Sequence, residues 1–198
     1  MKRYDRSYFH RWYHDPRHRV RTTAELRREA ALVVGVAEYV LGRPIGSVLD
    51  VGCGEGAWQP ALARLRPRAR YTGVEPSEWA VRRFGARRGI VRGTLARLDD
   101  AVPEEPWDLV ICSDVLHYLD GPELRAGVAA LAARVGGIAY LPVRTSADDF
   151  DGDRGGWRRR APSYYLALLA RAGLAPCGMQ CYVPRARAAE LAALERAR

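Results

Sequence analysis

The sequence is nearly without lysine. Lys2 is the only one, so almost all of the 32 basic residues are arginine. A formal net charge of +9 invites a nucleic-acid reading. Yet the arginines recur along the whole chain rather than in one block, and alanine and glycine are abundant beside them. That pattern fits the codon bias of a GC-rich, bacterial genome and a solvated basic surface. A basic face for nucleic acid or an anionic substrate is the alternative. Cysteine is also scarce. Cys53, Cys112, Cys177 and Cys181 contain no CxxC pair, which suits a reduced, cytoplasmic protein better than a disulfide scaffold. No apolar run approaches the ~18–20 residues of a membrane span. The charged, aromatic N-terminus lacks the apolar core of a secretory signal. There is no internal repeat and no low-complexity linker. The 198 residues are read as one domain.

What is present alternates. After an aromatic arm (1–21), Thr22-Thr23-Ala24-Glu25 is a capping box. Leu26, Ala30, Val33, Ala37 and Val40 follow at helical spacing, and Gly42, Arg43 and Pro44 stop the helix. Strands are predicted at 47–51, 71–75, 89–91, 107–112 and 137–143. Helices are predicted at 57–66, 77–86 and 121–134. Such alternation implies an α/β fold: a doubly wound, mostly parallel sheet with helices on both faces. The core is placed at 22–145. Residues 146–198 are read as a substrate loop, a helix from Ser163 to Ala172, strand material from Leu174 to Val183, and a charged terminal helix.

The central motif is VLDVGCGEGAW, residues 48–58. An apolar strand runs into Asp50, then Gly52, Gly54 and Gly56, then a helix. Glycines permit a tight turn and close approach of backbone to ligand, and N–H groups at a helix start favour a negative group. At the next strand end stands Glu75, placed to accept both hydroxyls of a ribose. A nucleoside-bearing cofactor is therefore expected across the strand ends. Gly52-x-Gly54-x-x-Ala57 also satisfies the dinucleotide pattern. However, Asp50 and Glu55 put two negative charges beside the presumed phosphate position. A ligand with an ammonium and a sulfonium suits them better.

VLDVGCGEG, with YTGVEPS and WDLVICSDVLHYL, resembles the class I S-adenosylmethionine (SAM)-dependent methyltransferases over roughly residues 46–145. The resemblance implies a seven-stranded Rossmann-like sheet with an antiparallel C-terminal edge strand, and SAM as cofactor with S-adenosylhomocysteine as product. It implies that Gly52, Cys53 and Gly54 meet the amino acid part of SAM by backbone, with Asp50 fixing the turn. Glu75 then takes the ribose hydroxyls and Pro76 lies near the adenine. Thr94 and Leu95, after Gly93, stand at the adenine edge, and Ser113 lends a carbonyl to the methionine end. The family often has an aspartate where Thr94 stands, and Asp99 or Asp100 is an alternative. The family also usually ends in a hairpin, whereas one strand is legible after residue 173.

Methyl transfer is an in-line displacement in which the protein chiefly aligns reactants. A base is needed only where the acceptor must lose a proton. His117 and Asp114, after strand four, are the candidate catalytic or substrate-contacting residues. An Asn/Asp-Pro-Pro-aromatic stretch, which would build a slot for a flipped base, is absent. The acceptor is therefore expected to be a small molecule, an acidic one included, met by the arm and by the 144–162 loop with Trp157 and Arg158-Arg159-Arg160. No metal site, membrane partner or oligomeric state is predicted. An RNA methyltransferase, a NAD-dependent oxidoreductase and a non-catalytic SAM-binding protein are the rivals. In the arm, His10, His14 and His18 share helical spacing, but Pro16 breaks one continuous helix. Tyr8, Trp12 and Tyr13 are expected to cover the cofactor.

Overall fold

A computed structural model describes residues 3–150 and 152–192. The arm begins with α1 (Arg6–Phe9), whose first N–H groups are capped by the Asp5 carboxylate. It continues as one π-helical turn, His10–His14, and ends where Asp15 becomes extended before Pro16. The π turn adds a residue to the ring of backbone hydrogen bonds, as happens most often at functional sites. Next comes α2 (Thr23–Leu41), opened by the Thr22–Glu25 capping box and closed by Gly42 in the left-handed conformation.

The chain then winds β1 (Ser47–Val51), α3 (Trp58–Leu65), β2 (Arg70–Glu75), α4 (Glu78–Arg88) and β3 (Ile90–Arg92). A 3-10 segment, Leu95–Asp100, leads to β4 (Trp107–Ile111), α5 (Gly121–Ala132) and β5 (Val135–Tyr140). After the long loop come α6 (Pro162–Arg171), β6 (Leu174–Gly178), β7 (Cys181–Pro184) and a short α7 (Arg185–Ala188). The sheet order is β3-β2-β1-β4-β5-β7-β6. β1 to β5 pair in parallel, and β7 is antiparallel to both neighbours. The order therefore reverses beside β1, between β2 on one side and β4 on the other. In open α/β sheets the crevice for a ligand forms at such a reversal.

Three corrections to the expected fold follow. The last stretch is a hairpin rather than a single strand. Its connection is Met179-Gln180, both with positive φ (49° and 61°), so a mirror-image turn is made without the usual Asn-Gly signal. The antiparallel strand is indeed the last, but it lies inside the sheet, and β6 takes the edge. Of the expected terminal helix only Arg185–Ala188 is seen, and residues 193–198 lie outside the described part.

Apolar side chains on the two sheet faces make two cores. On one, Ala30, Val33, Ala37 and Leu62 of α2 and α3 cover Val48, Leu109, Ile111 and Ile138. On the other, Leu124, Leu131 and Leu169 of α5 and α6 cover Leu49, Val110 and Ala139. Each leucine so buried contributes about 1.5–3 kcal/mol. Arg134, fully buried, donates to the carbonyls of Val102, Pro103 and Ala130 and pairs with Asp99 at 2.9 Å. It fixes the end of α5 to the loop entering β4, at the end of the sheet opposite the crevice.

Candidate functional site

The glycine-rich turn leaves β1 at its C-terminal end. Gly52, Gly54 and Gly56 all have positive φ (73°, 57° and 70°), a conformation that costs an L-residue about 1–2 kcal/mol. The N–H groups of Gly52, Cys53, Gly54 and Gly56 are used inside the chain. Those of Gly52 and Cys53 donate to the Val74 carbonyl at 2.7 and 3.2 Å, and that of Gly56 to the Cys53 carbonyl at 2.8 Å. The N–H of Gly54 donates to Glu75 Oε2 at 2.9 Å, and the N–H of Ser77 to Glu75 Oε1 at 3.0 Å. Turn and acid are thus one hydrogen-bonded unit at the ends of β1 and β2. It is not the cradle of outward N–H groups that a diphosphate needs.

The chemistry left at the turn is acidic. Burial raises the Glu75 carboxyl above the ordinary carboxylate range, opposed by the two N–H donors. Burial pushes Asp50 up to about 7, against the hydrogen bond from the Tyr71 hydroxyl (2.6 Å) and with the nearby Glu75 charge adding. Glu55, also buried, faces His14, whose Nε2 lies 3.0 Å from both carboxylate oxygens. Hydroxyls and a cationic group fit this donor-poor, acceptor-rich set, and a second phosphate does not. Cys53 is buried and its thiol is raised by that burial, so it stays protonated and packs with Phe84 and Ile90.

The remaining predicted positions spread along the same edge. Pro76 and Thr94 are exposed at the rim, and the Gly93 N–H donates to the Glu75 carbonyl at 3.1 Å. Leu95 turns its side chain into the core, against Gly127. Asp99 is tied to Arg134 and Asp100 to Arg97. At the end of β4, Ser113 and Asp114 meet Arg21, whose Nη2 lies 3.4 Å from Ser113 Oγ and 3.3 Å from Asp114 Oδ2. Arg144 approaches Asp114 from the other side at 3.5 Å. Asp114 itself has φ 59°, a left-handed conformation that aspartate tolerates better than most residues. His117 is buried, and its Nδ1 accepts the Arg144 N–H at 3.2 Å while its carbonyl accepts the Arg158 N–H at 2.9 Å. It pins both ends of the 144–158 loop.

The arm lies over the turn. Tyr13 reaches deepest: its hydroxyl stands 2.3 Å from where a Cβ on Gly54 would be, and Phe9 Cε1 stands 3.3 Å from the same point. A Val115 methyl lies 2.4 Å from the corresponding point of Gly52. Burial raises the Tyr13 phenol, with Glu75, Cys53, Glu55 and Asp50 adding to it. Tyr8 hydrogen-bonds Asp153 of the long loop, and the Tyr118 hydroxyl donates to the Asp153 carbonyl at 2.6 Å. Trp12 packs outward against His18 and Arg11. Phe9, Tyr4, Arg21, Trp79 and Asp153 were not singled out by sequence. Phe9, the last residue of α1, meets Tyr13 one helical turn on (ring centroids 5.2 Å) and stacks on Trp79, a tertiary contact the sequence does not signal. Asp153 lies in a polar loop with no periodicity at all.

Among the described residues no helix is long and apolar enough to cross a membrane, and no three of His, Cys, Asp or Glu are placed to hold a metal. Residues 49–137 match the family model described as a methyltransferase domain. The chain is 29% identical over 111 residues to the ubiquinone biosynthesis O-methyltransferase of Xanthomonas campestris, a match covering 52% of this chain and 46% of that protein. It is 35% identical over 112 residues to an uncharacterised protein of Synechococcus sp., covering 52% and 26%. The chain thus spans less than half the length of either relative. Among solved structures, it shares the fold of SAM-bound CalS10, an amino pentose methyltransferase from Micromonospora echinaspora. The TM-score there is 0.62 at 19% identity, over 79% of this chain and 89% of that one.

Proposed function

We propose that this protein is a class I SAM-dependent methyltransferase that transfers a methyl group from SAM to a small-molecule acceptor, a reading supported by the match of residues 49–137 to a methyltransferase-domain model. The observation that carries this reading is the locked unit of glycine turn and Glu75, set at the order reversal of the sheet and flanked by two further acids. SAM, when bound, supplies an electrophilic methyl group on a positively charged sulfur.

The chain's own residues bind and align. Glu75, at the end of β2, has the acceptor chemistry for two vicinal hydroxyls. The acids at the turn suit an ammonium group. Gly93 and Thr94, at the end of β3, border the base, with Leu95 supporting them from the core. Ser113 and Asp114 sit where the methyl acceptor must approach, across the strand ends from the turn. Asp114, between Arg21 and Arg144, is the group we assign to orient the acceptor and to receive its proton where one is lost. His117 is assigned as a positioning residue, because its Nδ1 already accepts a backbone N–H and its carbonyl holds the loop. The long loop then forms the acceptor side of the site. Arg160 is engaged by the Leu119 carbonyl and Arg154 by Asp149 and Phe150. Arg158 and Arg159, both exposed and the second lying over the Trp157 ring (5.4 Å to its centroid), are assigned to meet an acidic acceptor.

The test is calorimetric titration with S-adenosylhomocysteine and with NAD. Binding of the first alone is expected, and binding of NAD alone overturns the reading. Incubating the protein and SAM with a bacterial metabolite extract should then yield a compound one methyl heavier by mass spectrometry.

A further inference from the structure

We infer that the N-terminal arm is a displaceable plug: Phe9 and Tyr13 fill the cofactor cleft in this conformation, and a cofactor enters by expelling them. The inference rests on the reading that this cleft takes a SAM-type nucleoside. A ligand can approach a glycine turn closely only where the glycine presents bare Cα surface. At Gly54 that surface is covered by the Tyr13 hydroxyl and flanked by Phe9. Gly54 itself donates to Glu75 Oε2 at 2.9 Å and precedes Glu55, so the hydroxyl over Gly54 stands at the acidic turn that would face the polar end of a ligand. Phe9 is only 1% exposed and stacks on Trp79, with ring centroids 5.2 Å apart and planes inclined by 21°. Trp79 lies in the first turn of α4, just past Glu75, and offers the flat face on which a planar base would stack. One arm residue thus takes the place of a ring and the other the place of a polar group.

The arm is held by contacts that can be exchanged. Its anchors to the domain include His14 on Glu55, the Ser77 hydroxyl on the Tyr4 carbonyl (2.5 Å), and Tyr8 on Asp153. His14 is itself 55% exposed. Between the arm and α2, Pro16, Arg17, His18, Arg19 and Val20 are all exposed, tied back to the arm by the Val20 N–H on the Trp12 carbonyl (3.1 Å), so the arm can swing about this segment once Phe9 leaves its place. A site whose binding-competent form is a minor fraction loses apparent affinity in proportion to that fraction. Removing the plug therefore tightens binding, whereas removing a cover that contacts the ligand weakens it.

The experiment is titration of S-adenosylhomocysteine into the full chain, Tyr13→Ala and His14→Ala, with each variant's fold checked by circular dichroism. In parallel, trypsin is used to follow cleavage at Arg11, Arg17 and Arg19 with and without the ligand. Expected are affinity gains of about tenfold for Tyr13→Ala and a smaller gain for His14→Ala, together with faster arm cleavage of the wild type when ligand is added. Weaker or unchanged binding by the folded variants, or protection of the arm by ligand, overturns the plug while leaving the cofactor reading intact. If no form binds S-adenosylhomocysteine, the cofactor reading fails and the plug with it. His14→Ala, at an exposed side chain, keeps the test decisive if Tyr13→Ala does not fold.

Discussion

The turn at 52–56 and the roof above it are built by different means. The turn is held by main chain: its N–H groups bond to Val74, Cys53 and Glu75, and positive φ values set its path. The roof, made of the arm and the 144–160 loop, is held largely by side chains meeting across long sequence distances, as in Tyr8–Asp153 and His14–Glu55. A main-chain lattice has one geometry, while a side-chain roof can open and re-form. Binding precision belongs to the first region, and access and acceptor choice to the second.

Removing Glu75 breaks the contrast most severely. Glu75→Ala strips an acceptor from Gly54 and Ser77 together, and each N–H left unsatisfied costs about 1–3 kcal/mol. Affinity for S-adenosylhomocysteine should fall by about 100-fold, equivalent to about 2.8 kcal/mol, with a lowered melting temperature. Unchanged affinity by calorimetry refutes the ribose assignment. Gly54→Ala puts a methyl group where the Tyr13 hydroxyl stands 2.3 Å away, at φ 57°. Gly42→Ala has similar backbone strain (φ 64°) with nothing within 4 Å. Both should lose about 1 kcal/mol to the backbone. Only Gly54→Ala should also free the arm, seen as rapid tryptic cleavage at Arg11 and Arg17.

Asp50 sharpens the contrast through pH. Folded, it holds its proton up to about pH 7, and unfolded it loses it near pH ~4. The unfolded chain therefore releases the proton first, and stability falls as pH rises from about 4 through about 7. Asp50→Asn removes that dependence and keeps an acceptor for Tyr71. Its thermal melts should be flatter than wild type between pH 5 and 8, by about 2 kcal/mol of relative stability. His117→Ala is expected to have the smallest effect. It should cost about 1 kcal/mol and expose Arg154 and Arg158 to trypsin, with S-adenosylhomocysteine affinity unchanged. The methylation rate of the variant should retain the wild-type pH profile. Loss of one ionisation from that profile makes His117 the base instead.

The same division explains what could be read in advance. β1, the turn, β2 and β4 were legible because apolar runs, glycines and an acid at fixed spacing encode main-chain geometry directly. So was α2, from its capping box and stripe. The closing hairpin escaped because Met179-Gln180 makes its tight turn without glycine at either central position. Arg134 looked like one more surface arginine, and only the fold shows it buried. In the arm, Tyr8, Trp12 and Tyr13 are expected from the sequence to cover a cofactor, but nothing in the sequence tells which of them faces the turn. Tyr13 lies on the glycine turn with Phe9, while Trp12 packs on His18. His14 shares helical spacing with His10 in the sequence, yet its partner is a carboxylate 41 positions away.

The order of the last two strands has a bearing on how the molecule behaves in a crowded solution. Because β7 is inserted between β5 and β6, the open rim of the sheet on that side belongs to β6, with the sequence LAPCG. Pro176 offers no N–H there, and the pairing register shifts between Pro176 and Gly178. The opposite rim, β3, is three residues long and carries Arg92. Short, charged, kinked or proline-bearing rims are poor templates for a neighbouring strand. Both ends of this seven-stranded sheet are therefore guarded against cross-molecular strand pairing and the fibrous aggregation it seeds.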